Sequence, residues 1–178
     1  MVRSIRLAVL SSIALAVSAP AAFAASVHAD MALATPSGPG ASVGSIRITD
    51  APGGARIRVR LSGLPAGQHG FHVHQNPSCD VGPVNGVTAP AGGAGGYLDP
   101  DHTGMHMGPM GTGHLGDLPF LTVAADGTDT ETLVAPRLHD VSLLKGRSLI
   151  IHAGGDNYAD QPKPLGGGGA RIACGVIQ

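Results

Sequence analysis

The sequence predicts an all-β sandwich or barrel, on three observations. Short apolar runs alternate with a period of two, no run beyond residue 24 carries a helical period, and 28 glycines interrupt the chain at close intervals. Glycine at that density disfavours helices and marks loops between strands. Two stretches, Cys79 to Gly116 and Gly154 to Gly169, read as long loops, and loops of that length in a compact domain are usually functional.

Taken in order, residues 1–24 read as a removable signal peptide. Arg3 and Arg6 form a positive start, Leu7 to Val17 an apolar stretch, and Ala22-Phe23-Ala24 a cleavage site. The apolar stretch is too short to span a bilayer. Residues 25–42 are expected as a mobile leader running into the first strand. Ile46-Arg47-Ile48 and then Arg56 to Leu61 alternate as strands around an Ala51-Pro52-Gly53-Gly54 turn, with the arginines toward solvent. Gly70 to His74 alternates again, and nothing in the following glycine-rich passage reads as an element. Leu118 to Val123 and Glu131 to Ala135 are expected as a hairpin around Asp126-Gly127. Ser148 to His152 and Arg171 to Ile177 are the last strands.

Without its first 24 residues the chain keeps nine Lys and Arg against twelve Asp and Glu. That balance offers no basic field for a nucleic acid, and no second apolar run could cross a membrane. Two cysteines, Cys79 and Cys174, in a chain expected to be periplasmic or secreted, are most simply one disulfide.

The chemistry-bearing residues are mainly histidines, nine in all. In Phe71-His72-Val73-His74, period two puts Phe71 and Val73 on the core face and both histidines on the other, about 6–7 Å apart. Two imidazoles so placed either converge on one metal or form a surface pair. His152 ends another apolar strand, as a third ligand or a satisfied core histidine. His106, His114 and Asp117 lie in the glycine-rich loop and offer two nitrogens and an oxygen, three-quarters of a tetrahedral zinc site. Met105, Met107 and Met110 surround His106, with His102 nearby; such thioethers either pack or bind copper(I).

His69-Gly70-Phe71-His72-Val73-His74, followed by Cys79, resembles the copper-binding strand of the copper-zinc superoxide dismutases. His114 to Pro119, His152 to Asn157, Leu165 to Gly169 and the terminal Arg171 to Ile177 resemble that family's bacterial exported branch. The resemblance implies an eight-stranded antiparallel Greek-key barrel over residues 43–178, with copper and zinc as cofactors beside an intramolecular disulfide. It makes His72, His74 and His152 copper ligands and His106, His114 and Asp117 zinc ligands. Asp156 becomes the carboxylate that orients ligands of both metals, His69 a structural neighbour, and Arg171 the arginine that guides an anionic substrate. Lys163, in the second long loop, is a further candidate for that positive field. The implied reaction turns two superoxide ions into dioxygen and hydrogen peroxide. A homodimer is compatible with the resemblance.

One position departs from it. Where the family has a histidine shared by both metals, this chain reads Gly95-Gly96-Tyr97-Leu98-Asp99-Pro100. Ionising a phenol at pH 7 costs about 4 kcal/mol, which a divalent metal could offset. Tyr97 therefore either ligates as phenolate or packs, with water in the gap. A non-enzymatic copper- or zinc-binding protein of the same fold is the competing expectation.

Overall fold

The computed structural model describes residues 24–178, so the signal expected over 1–24 falls outside the description except for Ala24. The strands, in chain order, are β1 (Ser26–Thr35), β2 (Gly38–Ala51), β3 (Gly54–Leu61), β4 (Gly67–His69), β5 (Phe71–His74), β6 (Gly82–Val84), β7 (Val87–Ala89), β8 (Leu121–Val123), β9 (Thr132–Ala135), β10 (Ser148–His152) and β11 (Arg171–Val176). Among the described residues the only helical pieces are 3₁₀ turns of three or four residues.

Seven strands pair antiparallel in the order β5-β10-β11-β1-β2-β3-β9, and β8 pairs with β4. Gly70 alone separates β4 from β5, so one run of chain holds β8 on one side and β10 on the other. Counted as one strand, that run completes the eight-stranded antiparallel barrel. Alternation decides which face turns inward. Ile57, Val59 and Leu61 are buried in β3 while Arg56, Arg58 and Arg60 stay exposed. Ile46 and Ile48 of β2, Phe71 and Val73 of β5, and Leu149 and Ile151 of β10 join the same core. Each such side chain contributes roughly 1.5–3 kcal/mol on burial.

Three expectations need correction. Residues 25–42 are no mobile leader: β1 sits between β11 and β2, pairing Ala32 with Cys174 and Val27 with Ile48. Val27, Ala29 and Met31 are fully buried along it. The alternation is present in Val27-His28-Ala29-Asp30-Met31, but alanine is a faint apolar signal and polar residues flank it. The second correction concerns Leu118 to Val123 and Glu131 to Ala135, which do not form a hairpin ladder. The turn at Asp126-Gly127 closes, with Ala124 N–H donating to Thr128 O at 2.8 Å. Beyond it the Glu131 carboxylate accepts from Thr122 N–H, and the strands part, β8 to β4 and β9 to β3. Third, the glycine-rich passage contains the small β6–β7 hairpin, too short and polar to show a period.

If β1 is structural, Met31→Ala removes a buried side chain and should lower unfolding stability by about 2–4 kcal/mol. Its exposed neighbour serves as control: Asp30→Ala should change stability by less than about 0.5 kcal/mol in the same denaturant titration. Equal, negligible effects would return residues 25–42 to the status of a leader.

Candidate metal centre

Strand β5 sets the site. All four of its residues are buried: Phe71 and Val73 enter the core, and His72 and His74 face the loops that cover the barrel wall. β10 pairs beside it, Ile150 opposite His72, and brings His152 to the same place. One ring nitrogen from each of His72, His74 and His152 lies within 4.8 Å of the others.

Hydrogen bonds fix each ring's orientation and tautomer. His74 Nδ1–H donates to Gly95 O at 2.9 Å and His152 Nδ1–H to Gly169 O at 3.2 Å. His72 donates through the opposite nitrogen, Nε2, to Asp156 Oδ2 at 2.7 Å. The remaining nitrogens, His72 Nδ1, His74 Nε2 and His152 Nε2, are buried without a partner. Unsatisfied buried polar atoms are costly, and three ring nitrogens gathered together offer a donor set that suits a transition metal such as copper or zinc. Burial lowers the pKa of all three rings, to about 3 for His152, so each stays neutral with its lone pair free. Arg171 adds to that depression at His74 and His152.

A second cluster adjoins the first. His106, His114 and Asp117 also offer three donor atoms within 4.8 Å of one another. His106 Nδ1 and His114 Nδ1 approach Asp117 Oδ1 at 3.0 and 3.3 Å. Asp117 Oδ2 accepts from the amides of Met107 and Gly108, which anchors the loop on the carboxylate. Burial would raise the Asp117 pKa, but the hydrogen bonds from His106 and His114 hold it well below the carboxylate range. Burial likewise disfavours a charged His106, yet its bonds to Asp117 and Asp156 raise it to about 9. Two nitrogens and a carboxylate fit zinc.

Asp156 ties the clusters together. Its Oδ1 meets His106 Nε2 at 2.7 Å while Oδ2 holds His72. Gly166 leaves it room, for a Cβ there would run into Asp156 Oδ1 and stand 2.8 Å from His106 Nε2. Tyr97 lies among the rings. It stacks on His72 at 4.2 Å between centroids and 23° between planes, and meets His74, His106 and His114 edge-on. Its position is set by β5, through Leu98 N–H donating to Val73 O at 2.8 Å. Burial and the Asp156 and Asp117 carboxylates push its pKa up, favouring the neutral phenol.

The loop carrying Tyr97 is pinned from β11. The Cys79–Cys174 disulfide spans 95 residues with a Cα separation of 5.7 Å. Three residues before Cys174, Arg171 donates to Ala91 O at 2.7 Å and Gly95 O at 2.6 Å. Gly95 O is also the acceptor that orients His74. Arg171 and Tyr97 line a cleft of about 430 Å³ that leads to the clusters, with His114 and Leu165 on its wall.

The fold thus brings His72, His74, His152, His106, His114, Asp117 and Asp156 together. His69 contributes differently: its Nδ1 faces His152 O at 2.7 Å and its Nε2 faces Pro65 O at 2.8 Å, leaving no nitrogen for a metal. Lys163 and His102 are exposed. Met105, Met107 and Met110 point outward as exposed side chains while His106 between them turns in. Sequence reasoning missed Asp160, which accepts from His106 N–H at 3.0 Å and Leu165 N–H at 3.2 Å and so joins the two loops. It also missed the carbonyls of Gly95 and Gly169, for which no side-chain signal exists.

An antiparallel barrel with two adjoining histidine- and carboxylate-rich clusters has donor sets suited to metal ions. The copper/zinc superoxide dismutase family model matches residues 42–177, and the chain belongs to that family. A superoxide dismutase [Cu-Zn] of Brucella abortus is 54% identical over 157 residues, covering 88% of this chain and 91% of its own length. The Escherichia coli K12 enzyme of the same name is 50% identical over 160 residues, covering 90% of this chain and 92% of its own. The solved Cu/Zn superoxide dismutase from Brucella abortus superposes with a TM-score of 0.84 at 53% identity, over 86% of this chain and all of that one. Membership of that family makes superoxide dismutation the activity and copper and zinc the cofactors.

The Asp156 link gives a direct test. Gly166→Ala should displace the carboxylate, and the downfield imidazole N–H signals of His72 and His106 should vanish from the NMR spectrum. Breaking a buried network of this kind should cost about 2–4 kcal/mol of stability.

Proposed function

We propose that this chain is an exported dismutase that holds copper on His72, His74 and His152 and zinc on His106, His114 and Asp117, with Tyr97 at the position the family gives to a shared histidine. The observation that carries the reading is the set of three buried, unpartnered ring nitrogens, each left free because its opposite nitrogen is held by a fixed acceptor. Export is supported by the N-terminal sequence pattern and by the disulfide, which suits an oxidising compartment.

Copper bound there supplies the one-electron couple by which two superoxide ions and two protons become dioxygen and hydrogen peroxide. The chain's own residues prepare the place. Asp156 and the carbonyls of Gly95 and Gly169 hold three imidazoles so that little reorganises on binding. Arg171, half-buried at the cleft and close to the imidazoles, supplies a fixed positive charge for an entering anion. Its two hydrogen bonds to loop carbonyls hold the guanidinium in place. Tyr97, stacked face-on against His72, packs between the two clusters instead of bridging them, so protons reach the site from solvent through the cleft.

A metal-buffering role on the same fold has less support. Of the features that suggest it, Tyr97 is packed against His72 and the three methionines are exposed side chains, while the substrate-facing Arg171 is retained.

Two outcomes are expected. His114→Ala should bind less than about half the zinc of the parent while keeping its copper, measured by elemental analysis after dialysis. Unchanged zinc would place that metal elsewhere. Tyr97→His should create the shared ligand and speed superoxide turnover per copper by at least tenfold, on the order of 1.4 kcal/mol in barrier. Zinc removal should then alter the copper electron-spin spectrum of Tyr97→His but leave that of the parent nearly unchanged. A parent already as fast as Tyr97→His would show the bridge to be dispensable.

A further inference from the structure

The outer wall of β2 and β3 carries a concentration of charge that the dismutase site does not use. Arg47, Arg56, Arg58 and Arg60 are all exposed there. They are four of the nine Lys and Arg beyond residue 24, on a chain whose acids outnumber its bases. The register places Arg47 directly opposite Arg58, with Ser45 opposite Arg60 and Thr49 opposite Arg56. Like charges facing each other across a ladder destabilise it. Among the described residues no carboxylate forms an ion pair with any of the four. Among the described residues their one side-chain hydrogen bond is Arg47 Nη1 donating to Ser26 Oγ at 3.2 Å. Fold stability gives no reason for this arrangement.

Nor does superoxide guidance. Around the eight-stranded ring β8, β4/β5, β10, β11, β1, β2, β3, β9, strand β2 stands opposite β5, which carries His72 and His74. Positive charge there draws a small anion away from the metal centre.

The patch is shaped as well as charged. Ser45, Arg47, Arg58 and Arg60 enclose one cleft of about 160 Å³, and Arg47, Thr49, Arg56 and Arg58 another of about 180 Å³. On the other side of β3 a groove of about 580 Å³ runs between Arg58, Arg60 and Ser62 and the hydroxyls of Thr128, Thr130 and Thr132. We propose that this wall is a docking site for a linear polysaccharide bearing a repeated acidic group. The planar guanidinium fork pairs a carboxylate or sulfate through two hydrogen bonds, and the threonine and serine hydroxyls can both donate to and accept from sugar hydroxyls. Arg56, Arg58 and Arg60 follow one strand at intervals of about 7 Å, a line that suits a chain of acidic units better than the plane of a bilayer. The groove and both clefts are lined without an aromatic residue, so the bases of a single-stranded nucleic acid have nothing to stack on. Bound this way, the protein would be retained on an acidic sugar matrix with its metal cleft turned outward.

The test is a titration of the metal-loaded protein with dextran sulfate, neutral dextran, an oligothymidylate and phosphatidylglycerol vesicles at two salt concentrations. Dextran sulfate should bind tightest, weaken as salt rises, and compete with neither superoxide turnover nor metal content. Arg58→Gln and Arg60→Gln should each weaken it roughly tenfold, whereas Lys145→Gln, which removes the same charge from another exposed site, should change it less than twofold. Thermal melting of Arg58→Gln should be unchanged or higher, since a facing like-charge pair is relieved, so weaker binding cannot be blamed on misfolding. Equal weakening by Lys145→Gln would reduce the patch to net charge and overturn the proposal. Tighter binding of the oligonucleotide or the vesicles, or of neutral dextran at high salt, would overturn the assigned partner class.

Discussion

A single carboxylate, Asp156, accepts hydrogen bonds from His72 and His106 on its two oxygens, and the geometry of both clusters depends on it. Imidazoles are expensive to bury unless each nitrogen is used. Asp156 uses one nitrogen on each of two rings and so decides which nitrogen stays free. His72 keeps Nδ1, whereas His74 and His152, tied through Nδ1 to Gly95 O and Gly169 O, keep Nε2. The donor set on β5 and β10 is thus prepared by contacts outside it. Burial keeps those rings neutral, while the paired Asp117 and Asp156 carboxylates hold His106 to the opposite preference.

Regular strands supply two sides of this arrangement and irregular chain the rest, so the loops need anchors that a ladder would otherwise provide. The first loop is held at Cys79 by the disulfide, at Ala91 and Gly95 by Arg171, and at Met107 and Gly108 by Asp117. The disulfide alone, closing 95 residues, is worth on the order of 4–5 kcal/mol in the chain-entropy picture, an upper figure. The second loop is held by Asp156 and Asp160 and by Tyr158, whose hydroxyl accepts from Phe120 N–H and whose ring stacks on Phe120. Glycine makes the approach possible at Gly166, where the backbone passes against Asp156. Arg171 therefore has a structural part in the loop as well as its place at the cleft. The arginine wall on β2 and β3 shares none of these contacts, which leaves it free for a separate task.

Much of this was legible in the sequence because its signals are local. Period two in Arg56 to Leu61 and the short apolar run from Ser148 to His152 marked strands whose bounds match closely, and His-x-His on one face of β5 announced a donor pair. The six donors stood out by residue type and spacing, whereas their division between copper and zinc and the role of Asp156 came from the family resemblance, whose long motifs carry more information than spacing alone. Weak or non-local signals were lost. β1 was misread because alanine, the least apolar of its buried residues, sits at its centre. The expected hairpin failed because a turn motif specifies the turn, not the partner each strand finds beyond it. Asp160 and the acceptor carbonyls of Gly95 and Gly169 depend on how two loops meet, which no local pattern encodes. Tyr97 was visible as a departure, but its stacking on His72 belongs to the folded chain.

The proposed centre places two metals side by side on six residues, His72, His74, His152, His106, His114 and Asp117, without a ligand in common. A crystal structure of the copper- and zinc-loaded protein, with anomalous scattering collected at both metal edges, tests it most directly. Copper is expected about 2.0–2.2 Å from His72 Nδ1, His74 Nε2 and His152 Nε2, zinc among His106, His114 and Asp117, and Asp156 outside both coordination spheres with Tyr97 unligated. Copper on any other set of nitrogens, or a Tyr97 oxygen bound to either metal, would contradict it.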